Sequence, residues 1–183
     1  MNDKDYLWDK RHAVLQRIEL STLYHQKRER FFTVCDKLGN AAGVIGGSAA
    51  LASLSNPDLL AWIALAITVV SSIALVFGFP DRARRHADLA KDFRQLESAI
   101  VGRGERDFTE QDVSAWDAST RMFESTEPPA LGALVVLCQN ELARAQGHAG
   151  YVVKMNLMQR LGAHFVDFNV SASPVAAPLS NAD

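Results

Sequence analysis

Charge is almost absent from one long part of this sequence. Between residues 38 and 79 the only ionisable side chain is that of Asp58. Cysteine is scarce as well, because Cys35 and Cys138 are the two in the chain. Two cysteines so far apart form neither a disulfide framework nor a metal-binding pattern, so both are expected to be free, buried thiols.

Several catalytic and binding signatures are also missing. There is no glycine-rich phosphate loop of the GxxxxGK[ST] type, and no HExxH motif that would hold a zinc ion. The formal net charge of -2 argues against a nucleic-acid binder, which usually has a basic surplus. We therefore expect no enzyme, metal or cofactor. The histidines are expected at the surface or at an interface: His12, His25, His86, His148 and His164.

Two apolar runs fill the uncharged part, at residues 38–54 and 59–79. A helix needs roughly 20 apolar residues to cross about 30 Å of hydrocarbon. The second run has 21 residues and meets that length, whereas the first, with 17, lies at its lower limit. Two apolar helices in a chain of 183 residues would leave too little protein to cover them in water. The pattern predicts an all-α membrane protein with a two-helix transmembrane hairpin.

The residues between the runs, Ser-Asn-Pro-Asp, predict a tight turn. The residue before a proline disfavours helical geometry, and Asn56 and Asp58 are of types that cap a helix start. The turn has no Lys or Arg, whereas basic residues flank both runs. Since basic residues stay on the cytoplasmic side, both termini are expected there. The basic residues expected at the membrane interface are Lys27, Arg28, Arg30, Lys37, Arg82, Arg84 and Arg85.

The first run carries small residues at three- and four-residue spacing, which lets helix backbones approach closely in lipid. This face would pack against the second helix or against another subunit, and the sequence leaves both open. Its members are Gly39, Gly43, Gly46, Gly47 and Ala50. The polar side chains that would line a pore are Asn40, Thr68 and Ser72. Serine and threonine hydroxyls also bond within their own helix, so a pore is one of two interpretations.

Long helices are expected beside both runs. Residues 6–34 contain no Pro or Gly, and their apolar side chains recur at helical spacing. After Pro80 a second helix is expected, ended by Gly102 and Gly104. Its apolar stripe requires a partner helix and is expected to serve assembly or gating of an oligomer. The stripe is formed by Leu89, Phe93, Leu96 and Ile100.

The last third of the chain predicts further helices. Thr109 and Asp112 have the spacing of a capping box at a helix start. The apolar run at residues 130–138 is too short to span a membrane and predicts a buried helix. A final helix is expected over residues 151–168, with Val153, Leu157, Leu161 and Phe165 or Phe168 on one face.

These elements divide the chain into four parts. An amphipathic helix covers residues 1–34, the transmembrane hairpin residues 35–80, and a cytoplasmic helical bundle residues 81–168. A tail of small residues and prolines, residues 169–183, is expected to be disordered.

The layout resembles the SLATT domain, the "SMODS and SLOG-associating two-transmembrane effector" family of bacterial proteins. The resemblance lies in YHQKRERFF before the first run, in the short turn, and in RARRHADLAKDFRQLE after the second run. FTEQDVSAWD and EPPALGALVVLCQNELARAQG are similar to the trailing helices of that family. The resemblance extends over most of residues 6–168.

The resemblance implies a bacterial inner-membrane effector of anti-phage defence. Such a protein would oligomerise and permeabilise the membrane when triggered by a nucleotide-signalling partner, either a nucleotidyltransferase or a nucleotide-sensing protein. The main alternative is a membrane-anchored helical scaffold that recruits a partner and conducts nothing. An enzyme acting at the membrane would have only the unassigned histidines and acidic residues in its favour.

Overall fold

The computed structural model describes residues 3–167, and all the regular structure within that range is helical. The chain is all-α, as the sequence predicts. Its elements are α1 (Asp3–Ala52), α2 (Pro57–Phe77), α3 (Phe79–Gly102), α4 (Glu110–Thr126), α5 (Gly132–Ala145), a single 3₁₀ turn (Ala149–Tyr151) and α6 (Leu157–Gly162). The expected tail, residues 169–183, and Phe168 lie outside the described residues.

The chain folds into two compact units. Of the described residues, 3–26 together with 88–167 form one unit, the helical unit, and Lys27–Ala87 form the other, the hairpin unit. Helices α1 and α3 each contribute to both units, because α1 continues without interruption from the amphipathic segment into the first apolar run. This continuity is what residues 6–34 predict.

The turn between α1 and α2 forms as the sequence predicts. Helix α1 ends at Ala52, and Asn56 accepts a hydrogen bond from the Leu59 N–H at 3.2 Å. Pro57 occupies the first turn of α2, where a missing N–H costs nothing. The second helix boundary differs from the expectation, since α2 ends at Phe77, just before Gly78, and α3 already begins at Phe79, before Pro80. Gly78 adopts a left-handed conformation (φ 55°), which a glycine enters without the steric cost of a Cβ.

The apolar stripe on α3 contributes to one of the two core clusters described in the helical unit. Phe93 and Ile100 are fully buried and pack with Val14 and Ile18 of α1. Leu89 is buried too, and Leu96 lies at the edge of the same cluster. Burying one such side chain contributes about 1.5–3 kcal/mol. The expected partner helix is therefore α1 of the same chain, and a contact of this stripe with another subunit stays a prediction.

An ion-pair network that the sequence does not reveal joins α1 to α4. The Arg17 guanidinium donates to Glu124 at 2.6 Å and 3.2 Å and to Asp117 at 2.7 Å. Arg121 donates to the other Asp117 oxygen at 2.8 Å. Hydrogen bonds from Arg121 and Arg17 lower the pKa of Asp117, and the bonds to Glu124 and Asp117 raise that of Arg17. The pairs are about one-third exposed, so they orient α4 more than they stabilise it.

Helix α4 begins with the predicted capping box, in which Thr109 and Asp112 bond to each other's backbone N–H. The backbone N–H of Thr109 donates to Asp112 Oδ2 at 2.8 Å. Together with the Thr109 hydroxyl, this bond holds the pKa of Asp112 below its ordinary value. The short-range pattern of the sequence thus gives this helix start correctly.

Helix α5 is the predicted buried helix, with Leu134, Val136 and Cys138 in the core. The expected final helix over residues 151–168 is wrong in extent, because α6 covers only Leu157–Gly162. The reason lies in Asn140. Its buried amide donates to the Val153 carbonyl at 2.8 Å and accepts from the Val153 N–H at 2.7 Å. These two hydrogen bonds take the place of helical hydrogen bonds at Val153, and residues 152–156 lie outside any helix.

Candidate functional site

Helix α2 leaves an unusually large apolar surface uncovered. None of its residues is buried, and Trp62, Leu75 and Val76 are 70%, 84% and 80% exposed. In the described part of the chain, one helical stretch, Pro57–Gly102, is long and apolar enough to cross a membrane by length and composition. Its apolar window has a mean hydropathy of 2.5 and is 0% buried. The core helix of a soluble protein would be mostly buried, so this surface is suited to membrane association.

The first apolar run does not reach the same hydropathy. Glycine, serine and Asn40 interrupt it, and α1 ends at Ala52, two residues before the predicted end at Leu54. Helix α1 accordingly does not meet the length and composition criterion that α2 meets. The second span of the predicted hairpin stays a prediction.

Two of the predicted small residues lie on the face of α1 that contacts α2. A Cβ atom placed on Gly39 would lie 3.8 Å from the Ala74 Cβ. One placed on Gly46 would lie 2.6 Å from Ile67 Cγ1, so no larger residue fits there without movement. Gly46 follows Gly39 by seven residues on α1, whereas its contact Ile67 precedes Ala74 by seven residues on α2. The two helices are therefore antiparallel. This is the close backbone approach that small residues permit.

The other two glycines of the small-residue face lie outside this contact. A Cβ atom on Gly43 or Gly47 would meet no other side chain or distant backbone atom within 4 Å. Ala50 is half-buried. The predicted face therefore divides into a part that packs against α2 and a part that is open in the single chain.

The pore-lining candidates make local hydrogen bonds. The Thr68 hydroxyl donates to the Ala64 carbonyl of its own helix at 2.8 Å. The Asn40 amide donates to Asp36, one turn earlier on α1, at 3.3 Å. Thr68 and Ser72 are exposed on α2, whereas Ile67 and Ala74 face α1. Within a single chain the two hydroxyls thus lie on a side of α2 that α1 does not cover.

Two of the predicted interface cations converge on one aromatic ring. The Arg28 guanidinium lies 4.4 Å from the centroid of the Phe32 ring, and that of Arg82 lies 5.9 Å from it. The imidazole of His86 stacks on the same ring at 5.7 Å, and Phe79 stacks on it at 6.3 Å. We call these five residues the Phe32 cluster. The sequence identifies its two cations but does not reveal its rings.

A helical signal for the cluster is nevertheless present in the sequence. Arg28 and Phe32 are four residues apart on α1, and Phe79, Arg82 and His86 lie three and four apart on α3. Residues at these spacings share one face of a helix. Only the pairing of α1 with α3 brings both faces together, and local spacing does not encode that pairing.

The histidines are expected at the surface or at an interface, and the surface alternative is wrong at two positions. His86 is 4% exposed and His25 is fully buried, rather than lying at the surface. Each stacks on a phenylalanine ring, His86 on Phe32 and His25 on Phe93 at 5.9 Å. His25 Nε2 also lies 3.1 Å from Glu127 Oε1, so this buried ring has a polar contact as well as a stacked one. Of the two cysteines, Cys138 is buried as expected, whereas Cys35 is half-buried.

Comparison of the chain with protein-family models, with curated proteins and with solved structures gives no match. The class of this protein is therefore defined by its fold alone. Over residues 3–167 the protein is all-α and has one candidate membrane-spanning helix, and it divides into a helical unit and a hairpin unit.

Proposed function

We propose that this chain is a two-span membrane effector of the SLATT type, located in the bacterial inner membrane with both termini in the cytoplasm. In this proposal the chain oligomerises and permeabilises the membrane in anti-phage defence. A nucleotide-signalling partner, either a nucleotidyltransferase or a nucleotide-sensing protein, triggers it. The lipid bilayer and further copies of the same chain are its other partners.

The observation that carries the proposal is the uncovered surface of α2. In water, an exposed Leu, Val or Trp forgoes about 1.5–3 kcal/mol relative to its buried state. Helix α2 exposes many such side chains and has a single ionisable residue, Asp58, in its first turn. A bilayer removes this cost, because lipid tails solvate apolar side chains. The close pairing of α1 with α2 through Gly39 and Gly46 supports a hairpin as the inserted element.

Oligomerisation is the second part of the proposal. One pair of helices encloses no channel, so several copies are required. The open glycines Gly43 and Gly47 support a contact between copies, because they permit close approach and no neighbour in the chain occupies the space beside them. Thr68 and Ser72 then supply hydroxyls on a side of α2 that faces away from α1.

Gating is assigned to the helices of the helical unit. Helix α3 contains the buried stripe, and a single residue, Gly78, connects it to α2. A trigger that rearranges the packing of the stripe would act on α2 through this covalent connection. The ion path in this scheme passes the hydroxyls of Thr68 and Ser72.

The conductance of liposomes tests the proposal. We expect that the purified chain, mixed with its triggering partner, releases ions from liposomes. The double variant Thr68→Val and Ser72→Val should reduce the flux several-fold, because it removes hydroxyls that replace water around an ion. The flux is measured with an ion-sensitive dye inside the liposomes.

The matched control is Ser71→Val, which removes a hydroxyl from another face of the same helix and should leave the flux unchanged. Equal losses in the control and in the double variant would contradict the assigned path. Sealed liposomes in the presence of the partner would contradict permeabilisation altogether. The non-conducting scaffold would then be favoured, and the bond of the Thr68 hydroxyl to its own helix agrees with that function.

A second prediction concerns topology. In a variant with Cys35→Ser and Cys138→Ala, an added Asn56→Cys is expected to react with a membrane-impermeant thiol reagent on intact cells. The turn at Asn56 is exposed and its neighbours 53–58 lack basic residues, which supports an outer position.

The control for topology is Arg103→Cys, in the exposed turn after α3. It should react only after the cells are opened. Labelling of Arg103→Cys in intact cells, with Asn56→Cys unreactive, would reverse the proposed orientation.

A further inference from the structure

Helix α6 and the turn after it present large apolar side chains to the outside and bury a small one. Leu157, Met158 and Leu161 are 70%, 75% and 68% exposed, and Phe165, in the turn, is 71% exposed. Ala163, by contrast, is fully buried. A helix on the surface of a soluble domain usually has the opposite arrangement, with its large apolar residues towards the core. We call the four exposed side chains the α6 patch.

The segment that bears the α6 patch is held by specific hydrogen bonds. Before α6, the amide of Asn140 bonds to both backbone groups of Val153. At the start of α6, Asn156 and Gln159 form a capping box, in which each side chain accepts from the backbone N–H of the other residue. These bonds fix the backbone on the N-terminal side of the patch. The four apolar side chains are therefore displayed by a defined element of the fold.

Basic residues without acidic neighbours in the sequence accompany the patch. From residue 142 to residue 166 the chain contains Arg144, Lys154 and Arg160, all exposed, and no Asp or Glu. The whole chain has a net charge of -2, so this local surplus is opposite in sign. The next acidic residue, Asp167, accepts a hydrogen bond from the Gly132 N–H at 2.8 Å, where its charge offsets the positive end of α5. Exposed apolar side chains with basic neighbours are suited to a surface that is both apolar and anionic.

The α6 patch belongs to the end of the helical unit at which α1 continues into the hairpin unit. Ala163 is buried in the core cluster that contains Tyr24 of α1. Tyr24 lies three residues before Lys27, the first residue of the hairpin unit, and 14 residues before the apolar run that begins at residue 38. The chain thus tethers the patch to the proposed spans through a short part of α1. Tethering raises the effective concentration of the bilayer at the patch.

We propose that the α6 patch docks on the anionic surface of the membrane, with its apolar side chains among the acyl chains and Lys154 and Arg160 at the headgroups. Apolar side chains beside Lys and Arg are typical of segments that lie in the plane of the membrane interface. The proposal rests on the membrane location proposed for this chain and adds a second, peripheral contact to the inserted hairpin. Docking holds the helical unit against the bilayer.

A fluorescent label on the patch tests the proposal. Met158→Cys is introduced into the chain with Cys35→Ser and Cys138→Ala and is labelled with an environment-sensitive fluorophore. The full chain is reconstituted into liposomes of phosphatidylcholine with or without phosphatidylglycerol, and nitroxide groups on the acyl chains serve as the quencher. We expect the label to be quenched and its emission to shift to shorter wavelengths, and both effects should be stronger with phosphatidylglycerol.

The matched control for the label is Met122→Cys in the same background. Met122 is 59% exposed on α4, a helix with four acidic residues and one basic residue. This label should remain unquenched in both kinds of liposome. Equal quenching of the two labels would overturn the proposal, because any exposed position of the helical unit would then contact lipid.

The charge contribution has its own pair of variants. A basic side chain near an anionic surface strengthens binding about fivefold. Lys154→Gln with Arg160→Gln should therefore lower the ratio of docked to undocked label roughly thirtyfold. Lys91→Gln with Arg106→Gln removes the same charges from exposed positions elsewhere in the helical unit and should leave the ratio unchanged. Equal losses in the two pairs would overturn the site, because docking would then follow net charge alone.

The apolar contribution is tested by Leu157→Ser with Leu161→Ser. This variant should lose the quenching of the label at position 158, whereas its thermal unfolding midpoint should stay within a few degrees of that of the unaltered chain, because both leucines are exposed. Retained quenching would contradict the insertion of the patch among acyl chains. A large fall in the midpoint would show that the leucines pack inside the protein, which also contradicts docking.

Other occupants of the patch give different results. A second copy of the chain would shield the label at position 158 without quenching by the lipid nitroxide, and the shielding would increase with the protein-to-lipid ratio. Residues 168–183 would shield the label equally in both kinds of liposome, and their removal would expose it. Either result overturns the proposal.

A label on α2 distinguishes failure of this inference from failure of the proposed function. Trp62→Cys, at a 70% exposed position of α2, is labelled in the same background and should be quenched in both kinds of liposome. Quenching at position 62 without quenching at position 158 overturns the docking alone. An unquenched label at position 62 overturns the proposed membrane insertion, on which the docking rests.

Discussion

Replacement of Phe93 by aspartate is expected to unfold the helical unit. The side chain is fully buried, stacks on His25 and contacts the Phe123 ring edge-on at 5.5 Å. Removing a buried phenylalanine side chain costs about 3–5 kcal/mol. An unpaired carboxylate in its place adds several kcal/mol. The total is comparable to the free energy of unfolding of a typical domain, about 5–15 kcal/mol.

This expectation differs from the role in assembly or gating that the sequence pattern of the stripe suggests. If Phe93 lay at an interface between subunits, the variant Phe93→Asp would alter gating or assembly and leave the fold intact. Because Phe93 lies in the core, we expect the variant to lose its fold before any change in gating can be measured. Phe93→Leu is therefore the appropriate variant for gating, since it keeps most of the apolar volume.

Thermal unfolding and limited proteolysis of the purified chain test the effect of Phe93→Asp. The control is Val101→Asp, which introduces the same charge at a 58% exposed position of the same helix. We expect the control to unfold within a few degrees of the unaltered chain. If the two variants had equal stability, the stripe would lie outside the core.

Replacement of Gly46 by leucine is expected to separate α1 from α2. Even a Cβ atom at this position meets Ile67 Cγ1 at 2.6 Å and Cδ1 at 2.8 Å, so the added side chain forces the helices apart. Overpacking of this kind costs about 1–3 kcal/mol. At Gly43 the space beside the helix is open, and leucine has a higher helix propensity than glycine by roughly 0.8 kcal/mol.

The two glycine variants therefore separate packing in the chain from packing between copies. Gly46→Leu should lower the thermal unfolding midpoint of the hairpin unit. Gly43→Leu should leave that midpoint unchanged or raise it, while chemical crosslinking of oligomers in membranes falls. Unchanged crosslinking with Gly43→Leu would show that this face contacts lipid instead of another copy.

Features that depend on neighbours along the chain were predictable from the sequence. The capping box at Thr109, the turn at Asn56 and the α3 stripe each follow from residues three or four positions apart. The helical class of the chain follows from the same periodicity. The sequence left two alternatives for the small-residue face, packing against α2 or against another subunit. Only the structure shows that Gly39 and Gly46 pack against α2.

Features that depend on distant residues were not predictable. Arg17 lies 107 positions from Glu124, and neither residue has a local signal for the other. Asn140 shortens the final helix through bonds to Val153, 13 positions away. Phe32 collects its two arginines from α1 and α3, which the sequence separates by the whole hairpin. In each case the specificity resides in tertiary packing, which local periodicity does not encode.

Gly78 has a mechanical consequence for any signal that reaches α2. A continuous α-helix resists twisting because every residue repeats the same dihedral angles and shares one ladder of hydrogen bonds. Gly78 departs from this repeat with φ 55° and ψ 49°, between the last residue of α2 and the first of α3. In the proposed gating scheme, a change of dihedral angles at Gly78 would alter the direction of α2 relative to α3. We therefore expect motion of α3 to change the tilt of α2.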